Sequence, residues 1–106
     1  AEKMAMGLHL EGKVTAGDGT HTHTPTADRR ILPRGTAFQT DVGMTGPYDS
    51  VLGMKKEQAI KRLITGTPHK YEVAAHDVRL CALYVQADAE MGRAVKMESI
   101  VFPAFG

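Results

Sequence analysis

Apolar and polar positions change period several times along the chain, and each change marks an element. Over residues 2–10, EKMAMGLHL, good helix formers place Met4, Ala5 and Leu8 on one side at i, i+1, i+4 spacing, which predicts a helix ended by Gly12. No Ser, Thr, Asp or Asn stands ahead of it, so it reads as a helix whose natural beginning is missing. Residues 14–16 predict a short strand entering the turn GDGTHTH at 17–23. Ile31 and Leu32 resume a strand, ProArgGly (33–35) turns, and residues 36–42 alternate as a second strand, so the two form a hairpin.

Residues 43–53, GMTGPYDSVLG, break every period, with glycine density that marks an ordered loop. Over 55–65, Ala59, Ile60, Leu63 and Ile64 form an apolar stripe that predicts a helix stopped by Gly66 and Pro68, its stripe packed in the core. Residues 71–75 and 78–87 predict two strands around a turn at His76-Asp77. The second is apolar on both faces in its middle, which marks a central strand. A hairpin loop around AEMGR leads to a last strand over 95–102. The fold class expected is α/β: a mixed β-sheet with two main helices, in one small domain over 1–106.

Composition narrows the function classes. Thirteen basic against twelve acidic residues leave a formal charge of +1, and no like-charge run exceeds the pairs Arg29-Arg30 and Lys55-Lys56. With six aromatics and no Trp, there is neither the basic patch nor the stacking platform of a nucleic-acid binder. The single cysteine, Cys81, lies in the apolar run LCALYV and reads as a buried, inert thiol. No signal peptide or membrane span is legible, and a cytoplasmic protein is expected.

The candidate chemistry sits in the early turn. A His-x-His on an extended segment puts both imidazoles on one face, because strand side chains alternate with a period of two. His21 and His23 are therefore a candidate metal pair, and a solvated polar loop is the plainer alternative. From 20 to 26 every second residue is threonine, a run that suits either an oxyanion cradle or a turn rich in side-chain to backbone bonds. His9 reads as a surface residue, and His69 and His76 lie near strand ends without a partner at metal-ligand spacing.

The segment 19–53, GTHTHTPTADRRILPRGTAFQTDVGMTGPYDSVLG, resembles the YmdB-like family of binuclear metallophosphoesterases, and the likeness extends through EKMAMG on one side and KKEQAIKRLITG on the other. The resemblance implies the C-terminal part of a metallophosphoesterase αββα sandwich. It implies that His21 and His23 are metal ligands, one to each ion; Thr20 and Thr22 of the threonine-rich loop and Thr45 of the MTGP loop are the candidate substrate contacts. The cofactors implied are divalent Fe, Mn or Zn ions, as a binuclear pair. The activity implied is phosphodiester hydrolysis by a metal-bound hydroxide, on a phosphoester such as a cyclic nucleotide.

The family's other ligands, among them an aspartate, a glutamate, asparagines with a catalytic histidine, and a histidine just before the first helix, lie upstream of Ala1. The sequence is thus expected to match the C-terminal portion of such an enzyme. Two histidines are too few for a catalytic zinc site, which usually takes three protein ligands. A third is sought in Asp18, Asp28, Asp41 or a second chain. The alternative is a non-catalytic, self-associating piece that binds metal or anion. A homodimer or higher oligomer is expected from the apolar surface such a piece leaves open.

Overall fold

The computed structural model describes residues 1–106. Its elements are α1 (Glu2–Leu10), β1 (Ala16–Asp18), β2 (Arg30–Ile31), β3 (Ala37–Gln39), β4 (Gly46–Pro47), α2 (Lys56–Thr65), β5 (Val78–Ala87) and β6 (Ala94–Phe102). They form two three-stranded sheets, ordered β1-β3-β2 and β4-β5-β6. The first is mixed: β1 runs parallel to β3, and β2 pairs antiparallel to it with Arg30 opposite Phe38. The second is antiparallel throughout, and β5 is its central strand. The α/β class with two helices and the hairpin at 31–42 are as the patterning predicts.

Three elements differ from their sequence pattern. The first strand begins at Ala16, two residues later than expected: the Thr15 carbonyl still accepts from Ala37 N–H at 2.9 Å, but ahead of it the Val14 carbonyl accepts from the Thr36 hydroxyl at 2.7 Å and not from a backbone amide. The strand expected over 36–42 is regular only over Ala37–Gln39. Beyond Gln39 the backbone exchanges ladder partners for side chains: the Thr40 amide donates to Asp28 Oδ1 (3.2 Å) and the Asp41 amide to Thr26 Oγ1 (2.9 Å). Residues 71–75 form no strand; a single bridge joins Val73 to Met54. Their amides and carbonyls are taken by the loop ahead of α2, with Lys55 N–H donating to Glu72 O and Ala74 N–H to Gly53 O, both at 2.9 Å.

The core centres on the first sheet. Thr36, Ala37, Phe38 and Gln39 are all buried, as are Leu32 and Asp41. Alternation turns Phe38 toward α1, where Gly7 is the buried helical position. A Cβ there would stand 2.6 Å from the Phe38 ring, so this crossing requires glycine. The two sheets meet where Ala94 N–H donates to Gly35 O at 2.7 Å. Cys81 is buried on β5, as expected.

The stripe of α2 corrects the expectation of core packing. Ala59 is buried, but Ile60, Leu63 and Ile64 are 47%, 79% and 78% exposed. The helix is held instead by polar and cation-π contacts to 71–72: Gln58 Nε2 donates to Glu72 Oε1 at 3.1 Å, and the Arg62 guanidinium lies 4.7 Å from the Tyr71 ring centre. The molecule measures 54 × 29 × 19 Å with a radius of gyration of 17.1 Å. A compact chain of about 100 residues reaches about 13 Å. No helix is long and apolar enough to cross a membrane.

Candidate functional site

Two loops at the carboxyl ends of β1 and β3 build the site. The chain leaves β1 at Asp18 and passes Gly19, whose amide donates to Gln39 O at 3.2 Å and whose carbonyl accepts from Val42 N–H at 2.9 Å. A Cβ on Gly19 would collide with the Thr40 carbonyl oxygen, so the close approach of the two loops needs glycine. The loop then turns over a buried carboxylate. Asp41 Oδ2 accepts from the Thr22 amide (2.6 Å) and hydroxyl (2.8 Å), while Oδ1 accepts from the Gly43 amide (2.9 Å).

Asp28 does the same work on the far side of the loop, accepting from the hydroxyls of Thr26 (2.6 Å) and Thr40. Burial alone pushes both carboxyl pKa values up. The hydrogen bonds outweigh it: Thr26 and Thr40 hold Asp28 below its ordinary value, and Thr22 and Gly43, with Lys3, hold Asp41 below its own. Lys3, from α1, stands 4.0 Å from Asp41 and donates to Thr20 O at 3.0 Å. The threonine run is thus largely a set of side-chain to backbone and carboxylate bonds.

A second clamp holds His23. Its carbonyl accepts from Met44 N–H (3.2 Å), and Tyr48 Oη, 3.3 Å from that carbonyl, donates its one proton to Met44 O at 2.7 Å and so braces the same turn. Tyr48 Oη also lies 3.0 Å from Cys81 Sγ. Burial first, and the thiol second, push the Tyr48 pKa up to about 12, so the phenol stays protonated and keeps its proton for donation. Thr45 ties the loop to β5, its hydroxyl exchanging bonds of 3.1 Å with both the amide and the carbonyl of Cys81.

Within this frame His23 has a backbone φ of +66°. A non-glycine residue in that region is uncommon and is kept only where surroundings overdetermine it. Its Nδ1 is buried and has no hydrogen-bond partner. His21 is exposed on the same loop. The third ligand sought among Asp18, Asp28 and Asp41 is not found: no group of three His, Cys, Asp or Glu side chains converges in this chain. Asp28 and Asp41 instead spend their oxygens on threonine and backbone donors. His9 and His76 are exposed, and His69 Nε2 faces the Thr65 and Thr67 hydroxyls.

Patterning alone missed Tyr48, the residue that clamps the histidine loop, and it misread Asp41. A lone tyrosine in a glycine-rich loop carries no spacing signal. The only hint was a polar aromatic where a loop needs an internal donor.

Known proteins share this fold and much of this sequence. Over 101 residues the chain is 48% identical to a 2',3'-cyclic-nucleotide 2'-phosphodiesterase of Bacillus subtilis, covering 95% of this chain and 38% of that protein. It is 40% identical to a putative phosphatase/phosphodiesterase of Mycoplasma pneumoniae, covering 94% and 36%. Among solved structures, a hypothetical protein of Thermus thermophilus superposes with a TM-score of 0.88 at 42% identity, over 94% of this chain and 39% of that one. A novel phosphatase of Mycoplasma pneumoniae does so with a TM-score of 0.90 at 40% identity, over 94% and 36%. The chain therefore spans less than two fifths of the relatives it matches. Residues 1–100 match the YmdB-like protein family, and the chain belongs to it.

Proposed function

We propose that this chain contributes His21 and His23 to the metal-ligand set of a phosphoesterase acting on phosphodiesters such as cyclic nucleotides. The observation that carries the reading is His23: a strained backbone and a buried, unpaired ring nitrogen on a loop locked from both sides. An unpaired buried nitrogen is costly, and donation of its lone pair to a cation offsets that cost. The donor set fits Fe, Mn or Zn as two imidazole ligands that need further ligands to complete a site. A divalent ion bound there supplies Lewis acidity toward the phosphate.

The chain's own groups hold and orient. Asp41 fixes the Thr22 backbone between the two histidines, and Met44 N–H, braced by Tyr48, fixes the carbonyl of His23. The Thr20 hydroxyl makes no bond within the chain and is free to donate to a phosphate oxygen, whereas those of Thr22 and Thr45 position the loops. Names of the relatives, a cyclic-nucleotide phosphodiesterase and a phosphatase/phosphodiesterase, support the substrate class.

The test is metal analysis of the protein equilibrated with Mn or Zn, paired with hydrolysis of bis-p-nitrophenyl phosphate. Replacing both histidines by alanine is expected to reduce bound metal to background and to abolish any turnover. Metal content or hydrolysis that survives the double replacement overturns the reading. The absence of a third converging ligand favours a second reading, a self-associating piece that binds metal without turnover. Bound metal lost on His21→Ala/His23→Ala, with no hydrolysis by the parent protein, is its signature.

A further inference from the structure

Beside His23 lies a cleft of about 280 Å³, walled by His23 and Thr24 on one side and by Met44, Tyr48, Val51 and Leu52 on the other. Leu52 and Gly53 form the tip of a tight turn closed by reciprocal bonds between Val51 and Met54 (2.9 and 3.0 Å). Both tip residues have positive φ, +51° and +91°. Such a turn favours Asn-Gly, because a branched apolar side chain is strained there. The sequence nevertheless places a leucine at that position, 51% exposed at the mouth of the cleft. Two of the three non-glycine residues with positive φ thus line one cleft, a concentration of strain of the kind found at ligand sites.

The polar atoms of the walls are already spent. Tyr48 Oη donates to Met44 O, Ser50 Oγ bonds Pro47 O (2.6 Å) and Gly53 N–H (2.9 Å), and Thr24 Oγ1 donates to Thr22 Oγ1. Among the wall side chains only the His23 Nδ1 is left without a partner, and it belongs to the residue proposed to hold the metal. What remains is thioether, isopropyl, isobutyl and phenol-face surface, in a volume just under the usual range for whole-ligand pockets and so sized for one part of a ligand. That surface suits one flat ring system and offers no hydrogen bonds to its edges.

We propose that this cleft takes the nucleobase of the phosphodiester substrate by apolar contact, with Leu52 as the residue that closes over the ring. This rests on the phosphoesterase reading for the phosphate but makes its own claim about the ring. Base identity is then weakly discriminated, because rings of similar area and different edges present the same face.

The experiment is a titration followed by the methyl resonances of Met44 and Leu52. Adenosine and guanosine are expected to shift both and to bind within about twofold of each other, while ribose 5-phosphate leaves both unmoved. Leu52→Asn suits the turn backbone and so preserves folding, yet should weaken adenosine binding about fivefold or more. Nucleosides that shift neither methyl, unchanged affinity in Leu52→Asn, or strong preference between the two purines overturns the proposal. His21→Ala lies outside the cleft and separates the two readings. Adenosine binding that depends on Leu52 in a protein that binds no metal keeps the cleft and ends the phosphoesterase reading. Metal held by the histidines while nucleosides ignore Leu52 does the reverse.

Discussion

At the scale of single residues, Asp41 decides whether the histidine loop has a shape. It is fully buried, and its three accepted hydrogen bonds and the Lys3 ammonium compensate for the loss of water. Asp41→Asn keeps the volume but loses the charge and turns an amide toward donors. The cost expected is about 1.5–3 kcal/mol in urea unfolding at pH 7, the range for hydrogen bonds to a charged group. The pH dependence has a definite sign. Asp28 and Asp41 both have native pKa values below the ordinary 3.8, so the unfolded chain takes up protons first as pH falls. Their stabilisation is present above 3.8 and is lost as pH drops below it. The acid limb of a stability profile should therefore flatten in Asp41→Asn, and a limb identical to that of the parent removes Asp41 from this role.

At the scale of elements, what was legible in the sequence was local, and what was not depended on neighbours. α1, α2 and the β5–β6 hairpin follow from periodicity, since i to i+4 spacing and alternation are properties of the segment itself. The strand expected over 36–42 failed beyond Gln39, where Thr26 and Asp28, distant in sequence, take over the backbone partners. The pair His21 and His23 could be picked out by spacing, whereas the clamp by Tyr48 and the commitment of Asp41 arise only when the two loops meet. Gly7 shows the same dependence. In isolation Gly7→Ala should favour α1 by about 1 kcal/mol. In the fold the new methyl meets the buried Phe38 ring at 2.6 Å. We expect the overpacking to win, with a net loss of about 1–2 kcal/mol by thermal unfolding. A stabilised Gly7→Ala means that α1 does not rest on Phe38.

At the scale of the whole molecule, apolar surface is left uncovered in a pattern that suits association. The β5–β6 register sets Leu80 opposite Phe102 and Ala82 opposite Ile100, so these share one face with Val78 and Tyr84. Along that face Val78 is 60% and Phe102 71% exposed, while the distal end turns polar at Gln86 and Lys96. Contiguous apolar patches of this kind on a sheet favour pairing with a second surface, and a two-fold arrangement lets the same face serve both partners. We expect a homodimer or higher oligomer whose mass by sedimentation rises with concentration and whose melting temperature rises with it, since association stabilises the folded state by mass action. Leu80→Lys with Phe102→Lys places two cations on opposing register positions of the same face. That variant should sediment as a monomer and lose the concentration dependence of its melting temperature. Its side chains already face solvent, so the monomer's own stability should move by only about 0.5 kcal/mol. A parent protein that stays monomeric up to hundreds of micromolar, or a variant that associates as before, removes this face from the assembly.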